Sequence, residues 1–151
     1  MISNYQQAQQ SFDLQQAAQR FLSGSVDALN ACYECCDRHA LPGQIALFWQ
    51  GKDGRKEQYT FRELQQRASQ FANFLKSQGV SKGDRVSGLL PRTPELIITI
   101  LATWRIGAVY QPLFTAFGPK AIEHRLQLAQ SKLVVTDVGN RDKLNEVEGC
   151  P

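Results

Sequence analysis

The chain is 151 residues long and carries 17 Lys and Arg against 14 Asp and Glu, a net charge of +3. Hydrophobic residues make up 42% and charged residues 21%, an ordinary globular composition that excludes wholesale disorder. So mild a charge gives no ground for a nucleic-acid partner. At about 150 residues per domain the length suits one compact unit with a buried core. The apolar stretch around Glu95–Trp104 is too short to span a bilayer, and Met1–Gln19 holds neither a basic residue nor the apolar run of a secretory signal. The cytoplasm is therefore the expected compartment.

Residues 1–26 are glutamine-rich, with sparse apolar positions at Tyr5, Ala8, Phe12, Phe21 and Leu22. They read as an N-terminal arm, helical or frayed, ahead of a domain over 27–151. Leu29, Cys32, Tyr33 and Cys36 fall at helical spacing, which predicts a helix from Asp27 to Ala40, closed by Leu41-Pro42-Gly43. Ile45–Gln50 and Glu57–Thr60 read as strands joined by Gly51-Lys52-Asp53-Gly54, a β-hairpin. Thr60 and Glu63 have capping-box spacing. The helix they open presents Leu64, Ala68, Phe71, Ala72 and Leu75 on one face and stops at Gly79.

Beyond Gly79 the order is strand, helix, strand, helix, strand: Val86–Leu90, Thr93–Ile106, Val109–Phe114, Pro119–Ser131 and Leu133–Thr136. Thr93-Pro94-Glu95 supplies a hydroxyl cap, a first-turn proline and a carboxylate suited to the helix dipole. The first and third strands lack inside/outside alternation, as in a parallel sheet covered by helices on both faces. The fold class is α/β, Rossmann-like. Pro112 suits an edge strand.

In such a sheet, ligands bind beyond the carboxyl ends of the strands. The candidate loops are Pro91-Arg92-Thr93, Thr115-Ala116-Phe117-Gly118 and Asp137–Arg141. Arg92 and Arg141 beside a helix N-terminus would suit a phosphate-bearing ligand; paired or merely solvated arginines are the plain alternative. No Gly-x-Gly-x-x-Gly follows the first strand, and no phosphate loop of the Gly-x-x-x-x-Gly-Lys-Ser/Thr type occurs. Cys32, Cys35, Cys36 and His39 satisfy a Cys-x-x-Cys pattern. The other metal-ligand candidates, His124 and Cys150, lie far along the chain, so Cys32 and Cys36 read as core residues and no metal is expected. His124 and the mixed charges around Lys120, Arg125, Lys132, Arg141 and Lys143 read as solvated surface.

Tyr-Thr-Phe-Arg-Glu-Leu at 59–64, Gly-Val-Ser-Lys-Gly-Asp-Arg-Val at 79–86 and Leu-Pro-Arg-Thr-Pro-Glu-Leu at 90–96 resemble the start of AMP-forming acyl-CoA synthetases. So do Arg-Ile-Gly-Ala-Val-Tyr-Gln-Pro-Leu-Phe at 105–114, Phe-Gly-Pro-Lys-Ala-Ile-Glu-His-Arg at 117–125 and Lys-Leu-Val-Val-Thr-Asp at 132–137. Leu113–Pro119 looks most like the acetyl-CoA synthetase and short-to-medium-chain branch. The resemblance implies a partial adenylation domain over 27–151, in a parent that joins a small carboxylic acid to CoA with ATP and Mg2+. It places Thr115, Ala116, Phe117, Gly118 and Arg141 on the CoA side. It also implies that no catalytic residue lies in this chain, since the family's Ser/Thr/Gly-rich phosphate loop and adenylation lysine are absent. The chain alone is then expected to be inactive, to bind no cofactor tightly and to expose apolar surface along the Pro94–Ile106 helix or the Pro112 edge, where a homodimer is one way to cover it. A self-standing binding module is the rival reading and predicts a sealed, polar surface instead.

Overall fold

The computed structural model describes residues 4–151, so Met1–Ser3 of the expected arm lie outside the described residues. The chain divides into two compact units, residues 1–30 and 31–151. In the first unit, α1 (Tyr5–Gln10) is capped by Asn4, whose side chain accepts from the Gln7 N–H. α2 (Leu14–Phe21) is capped by Asp13, which accepts from the N–H groups of Gln15 and Gln16. Such oxygens satisfy donors that have no partner inside the helix. The arm thus forms two short helices followed by a 3-10 turn at Val26–Ala28.

The second unit opens with α3, which spans only Ala31–Cys35. A separate 3-10 turn covers Asp37–His39, and Cys36 between them has φ −132° and ψ −62°, outside the helical region. The expected continuous helix over Asp27–Ala40 is therefore not formed. The break serves a long-range contact: Asp37 accepts from the Arg105 guanidinium at 2.5 Å, across 68 residues of sequence. Cys32 and Cys36 are buried as expected, whereas Leu29 and Tyr33 are exposed.

β1 (Ile45–Gln50) and β2 (Lys56–Thr60) form the antiparallel hairpin, with an irregular register between Ile45 and Leu47. α4 (Phe61–Ser77) starts on the full capping box: Thr60 Oγ1 accepts from Glu63 N at 3.1 Å, and Thr60 N donates back to the Glu63 carboxylate at 2.7 Å. Leu64, Ala68, Ala72 and Leu75 are its buried stripe. Gly79, at φ +78°, ends it in a conformation that L side chains resist.

β3 (Arg85–Leu89), β4 (Val109–Pro112) and β5 (Leu133–Thr136) are parallel in the order β4-β3-β5. Between them run α5 (Pro94–Arg105) and α6 (Pro119–Ala129). The α/β reading thus stands, with Pro112 on an edge strand where its missing N–H costs no ladder bond. Three local expectations fail. β4 stops at Pro112 rather than Phe114, the Thr93 side chain makes no capping bond at α5, and residues 138–141 form the helical turn α7 (Val138–Arg141) instead of a loop. Asp137 drives that last change by accepting from the Asn140 N–H at 3.1 Å.

Alternating side chains of the central strand feed two cores. Val86 packs with Ala72, Leu75 and Ala102 of α4 and α5, and Leu89 packs with Ile122 and Leu126 of α6. α5 is buried or half-buried at every position except Glu95, so it exposes no apolar face. Exposed apolar side chains are spread over the surface, Val109 and Phe114 by the β4 edge and Phe48, Leu128 and Val138 elsewhere. Beneath α6, the fully buried Ser87 hydroxyl donates to Gln111 Oε1 at 2.5 Å and lies 2.6 Å from Ser131 Oγ. The Gln111 amide in turn donates to the Arg125 carbonyl at 3.1 Å.

Candidate functional site

Two clefts open at the carboxyl end of the parallel sheet. The larger, about 1020 Å³, wraps the β4 edge between the hairpin turn and the loops after β3 and β4. Its floor is Gly88, Tyr110 and Pro112, and Trp49, Phe114 and Phe117 supply aromatic walls. The smaller, about 360 Å³, lies between α4, α5 and the end of β5, where Glu95 and Asp137 contribute carboxylates.

Local chemistry fixes the frame of the larger cleft. Trp49 Nε1 donates to the Arg92 carbonyl at 2.8 Å, tying the hairpin to the loop after β3. The Lys143 ammonium donates to the Thr115 carbonyl and lies 3.2 Å from Asn140 Oδ1, so the loop after β4 and the α7 turn meet at one end of the sheet. Phe114 and Phe117 pack edge to face at 5.9 Å, and the Arg125 guanidinium lies over the Phe117 ring at 4.0 Å. Gly88 is required by space: a Cβ there would fall 2.8 Å from Cζ and Cε2 of Tyr110. The Tyr110 hydroxyl is buried without a hydrogen-bond partner among the described residues, and burial raises its pKa.

Of the residues singled out from sequence, Arg92, Thr115 and Phe117 line this cleft, while Ala116, Gly118 and Arg141 do not. Arg141 is exposed on α7, two residues before Lys143. Among the described residues no carboxylate pairs with Arg92 or Arg141. Sequence reasoning missed Trp49, Tyr110 and Arg125 as cleft residues.

The cysteines stand apart from the cleft. Burial pushes the Cys32 thiol up to about 12, against the opposing pull of Arg105, and burial likewise pushes Cys36 up to about 11. Cys35 is exposed. No group of three or more His, Cys, Asp or Glu side chains is placed to hold a metal ion among the described residues. None of their helices is long and apolar enough to cross a membrane.

The family model described as AMP-binding enzyme matches residues 34–150. The chain belongs to this family. It is 39% identical over 155 residues to the acetyl-coenzyme A synthetase of Halorhodospira halophila, covering 93% of this chain and 23% of that protein. It is 47% identical over 117 residues to the acetyl-coenzyme A synthetase of Psychromonas ingrahamii, covering 75% and 18%. The crystal structure of an acyl-CoA synthetase from Brucella canis superposes with a TM-score of 0.94 at 50% identity, covering 98% of this chain and 27% of that one. The chain thus spans about a fifth to a quarter of the length of the relatives it matches.

Proposed function

We propose that the chain forms one wall of the active cleft of an AMP-forming acyl-CoA synthetase. Such an enzyme joins a small carboxylic acid to the α-phosphate of ATP as an acyl-adenylate, releasing pyrophosphate, and then transfers the acyl group to the CoA thiol, releasing AMP. The observation that carries this reading is the gathering of the loops after three parallel strands at one end of the sheet, where the Lys143–Thr115 bond joins two of them. In this reading Thr115, Ala116, Phe117, Gly118 and Arg141 face CoA, and the parent works in the cytoplasm. No aspartate or glutamate lines the larger cleft, so its residues offer no carboxylate ligand for the Mg2+ of such a reaction. The exposed Val109 and Phe114 by the β4 edge favour this reading over a self-standing module; further synthetase surface or a second copy would cover them.

The test is a chimaera in which this chain replaces the matching segment of the Halorhodospira halophila relative. The chimaera should form acetyl-CoA, and Arg141→Ala in it should raise KM for CoA while leaving ATP–pyrophosphate exchange intact. The 151-residue chain alone should catalyse no exchange. Exchange by the isolated chain, or a folded chimaera without activity, refutes the proposal.

A further inference from the structure

In the loop after β4, the Phe117 N–H donates to the Phe114 carbonyl at 2.9 Å, closing a β-turn with Thr115 and Ala116 at its centre. The peptide joining those two residues can stand either way up in such a turn. One orientation is type I; the other, type II, demands a positive φ at the third residue. Ala116 has no positive φ, which excludes the second. Among the described residues the Thr115 carbonyl receives no backbone N–H and accepts instead from the Lys143 ammonium. A trans peptide sends its C=O and N–H in opposite directions. The Ala116 N–H therefore points away from Lys143. Ala116 is exposed, and among the described residues no acceptor takes that N–H.

Lys143 is itself fixed. It sits on a 3-10 turn, Asp142–Glu146, and its neighbours Leu144 and Val147 pack with Leu89, Ile122 and Leu126. Its ammonium lies 3.2 Å from Asn140 Oδ1. Asn140 is held in turn by Asp137 Oδ1, which accepts from Asn140 Nδ2 at 2.6 Å and from its backbone N–H at 3.1 Å. One chain of hydrogen bonds thus runs from the end of β5 to the turn after β4. Among the described residues no carboxylate lies within ion-pair distance of Lys143. A half-buried lysine placed only for charge balance would meet an acid, whereas this one is committed to a neutral amide and a backbone carbonyl. A charged donor makes that bond to Thr115 about twice as strong as a neutral one.

We propose that Lys143 is a positioning residue, which fixes the Thr115–Ala116 peptide so that the Ala116 N–H stands ready for an acceptor on CoA. The hold on the turn stands on the hydrogen-bond chain itself; CoA as the ligand rests on the acyl-CoA synthetase reading. Lys143 acts through the turn and not on the ligand. It does not line the larger cleft, and Thr115 and Asn140 already occupy its ammonium.

The test has one arm without ligand and one with CoA. In amide NMR of the whole 151-residue chain, Lys143→Met should shift or broaden the Ala116 and Phe117 signals, and Lys143→Arg, which keeps a cationic donor, should restore them. In the Halorhodospira halophila chimaera, Lys143→Met should raise KM for CoA about tenfold, the scale of one lost charge-assisted bond, with kcat and ATP–pyrophosphate exchange unchanged. Lys143→Arg should recover most of that loss. Asn140→Ala, which frees the lysine from behind, should raise KM for CoA by less. The Lys143→Met ratio should be the same with 3′-dephospho-CoA. Lys76→Gln, on the exposed end of α4, should change nothing, and unfolding midpoints of all variants check the fold. Ala116 and Phe117 amides that stay in place in Lys143→Met, or a KM for CoA that does not move, overturn the proposal. So does a KM effect confined to CoA bearing its 3′-phosphate, which makes Lys143 a direct contact. A folded but inactive chimaera overturns the synthetase reading and CoA as the ligand, while the amide arm decides the hold on the turn independently.

Discussion

Replacing Gly88 by alanine tests whether Tyr110 really occupies the space of a missing side chain. Gly88 does not have positive φ, so alanine is conformationally acceptable and would by itself stabilise the fold by about 0.4–1 kcal/mol through the unfolded state. Against that, the new Cβ meets Cζ and Cε2 of Tyr110 at 2.8 Å, where carbon pairs settle at about 3.5–4.0 Å. The ring must move by nearly an ångström, and overpacking of this kind costs about 1–3 kcal/mol. The steric cost wins, leaving a net loss of about 1–2 kcal/mol, or a urea midpoint lowered by about 0.5–1 M at an m-value near 2 kcal/mol/M. In a Tyr110→Ala background the same change should cost nothing or stabilise, so the cycle should show about 1–2 kcal/mol of coupling. Tyr110→Phe alone should raise the midpoint, because it removes a buried hydroxyl with no partner among the described residues, worth about 1–3 kcal/mol. Strict additivity of the Gly88 and Tyr110→Ala effects would refute the cradle.

Thr60→Ala should cost about 1 kcal/mol in urea unfolding, the usual value of an N-cap. The Thr60 N–H and hydroxyl hold the Glu63 carboxyl below its ordinary range, so its contribution is complete above the unfolded value of about 4.3 and disappears as pH falls through the lower folded one. Glu63→Gln should flatten that acid limb; an unchanged slope counts against the box. At the alkaline end, unfolded thiols ionise near pH 9 while Cys36 keeps its proton to about 11 and Cys32 to about 12. Stability should therefore fall as pH rises from 9 to 12, and Cys32→Ala should reduce the slope. With a thiol reagent at neutral pH, Cys35 should react first and Cys32 and Cys36 only on unfolding; rapid labelling of Cys32 would contradict its burial.

What could be read from the sequence was local. The Thr60–Glu63 box, the hairpin turn and the Leu64-to-Leu75 stripe are settled within a few residues of chain, and each formed as its spacing dictates. The first and third parallel strands were legible from their lack of alternation, but the strand order was not, because β3 pairs with β5 across α5, β4 and α6. The helix expected over Asp27–Ala40 breaks at Cys36, where Arg105, 68 residues beyond Asp37, holds that carboxylate outside the helical path; no local spacing announces this partner. The cleft was half legible. Topology alone points to the loops holding Arg92 and Thr115, whereas Arg125 reads as a surface charge until the Phe117 ring is seen beneath it.

The hydroxyl–amide knot of Ser87, Gln111 and Ser131 has a consequence for alignment. If β4 slid one residue along β3, Tyr110 or Pro112 would take the place of Gln111, whose acceptor and donor atoms reach different partners; proline has neither group, and tyrosine has one hydroxyl at the end of a rigid ring. Each stranded polar atom would cost about 1–3 kcal/mol, a penalty that greasy side chains, which forgive small displacements, do not impose. The knot thus works as an indexing pin, admitting one phase of the ladder and discarding its neighbours.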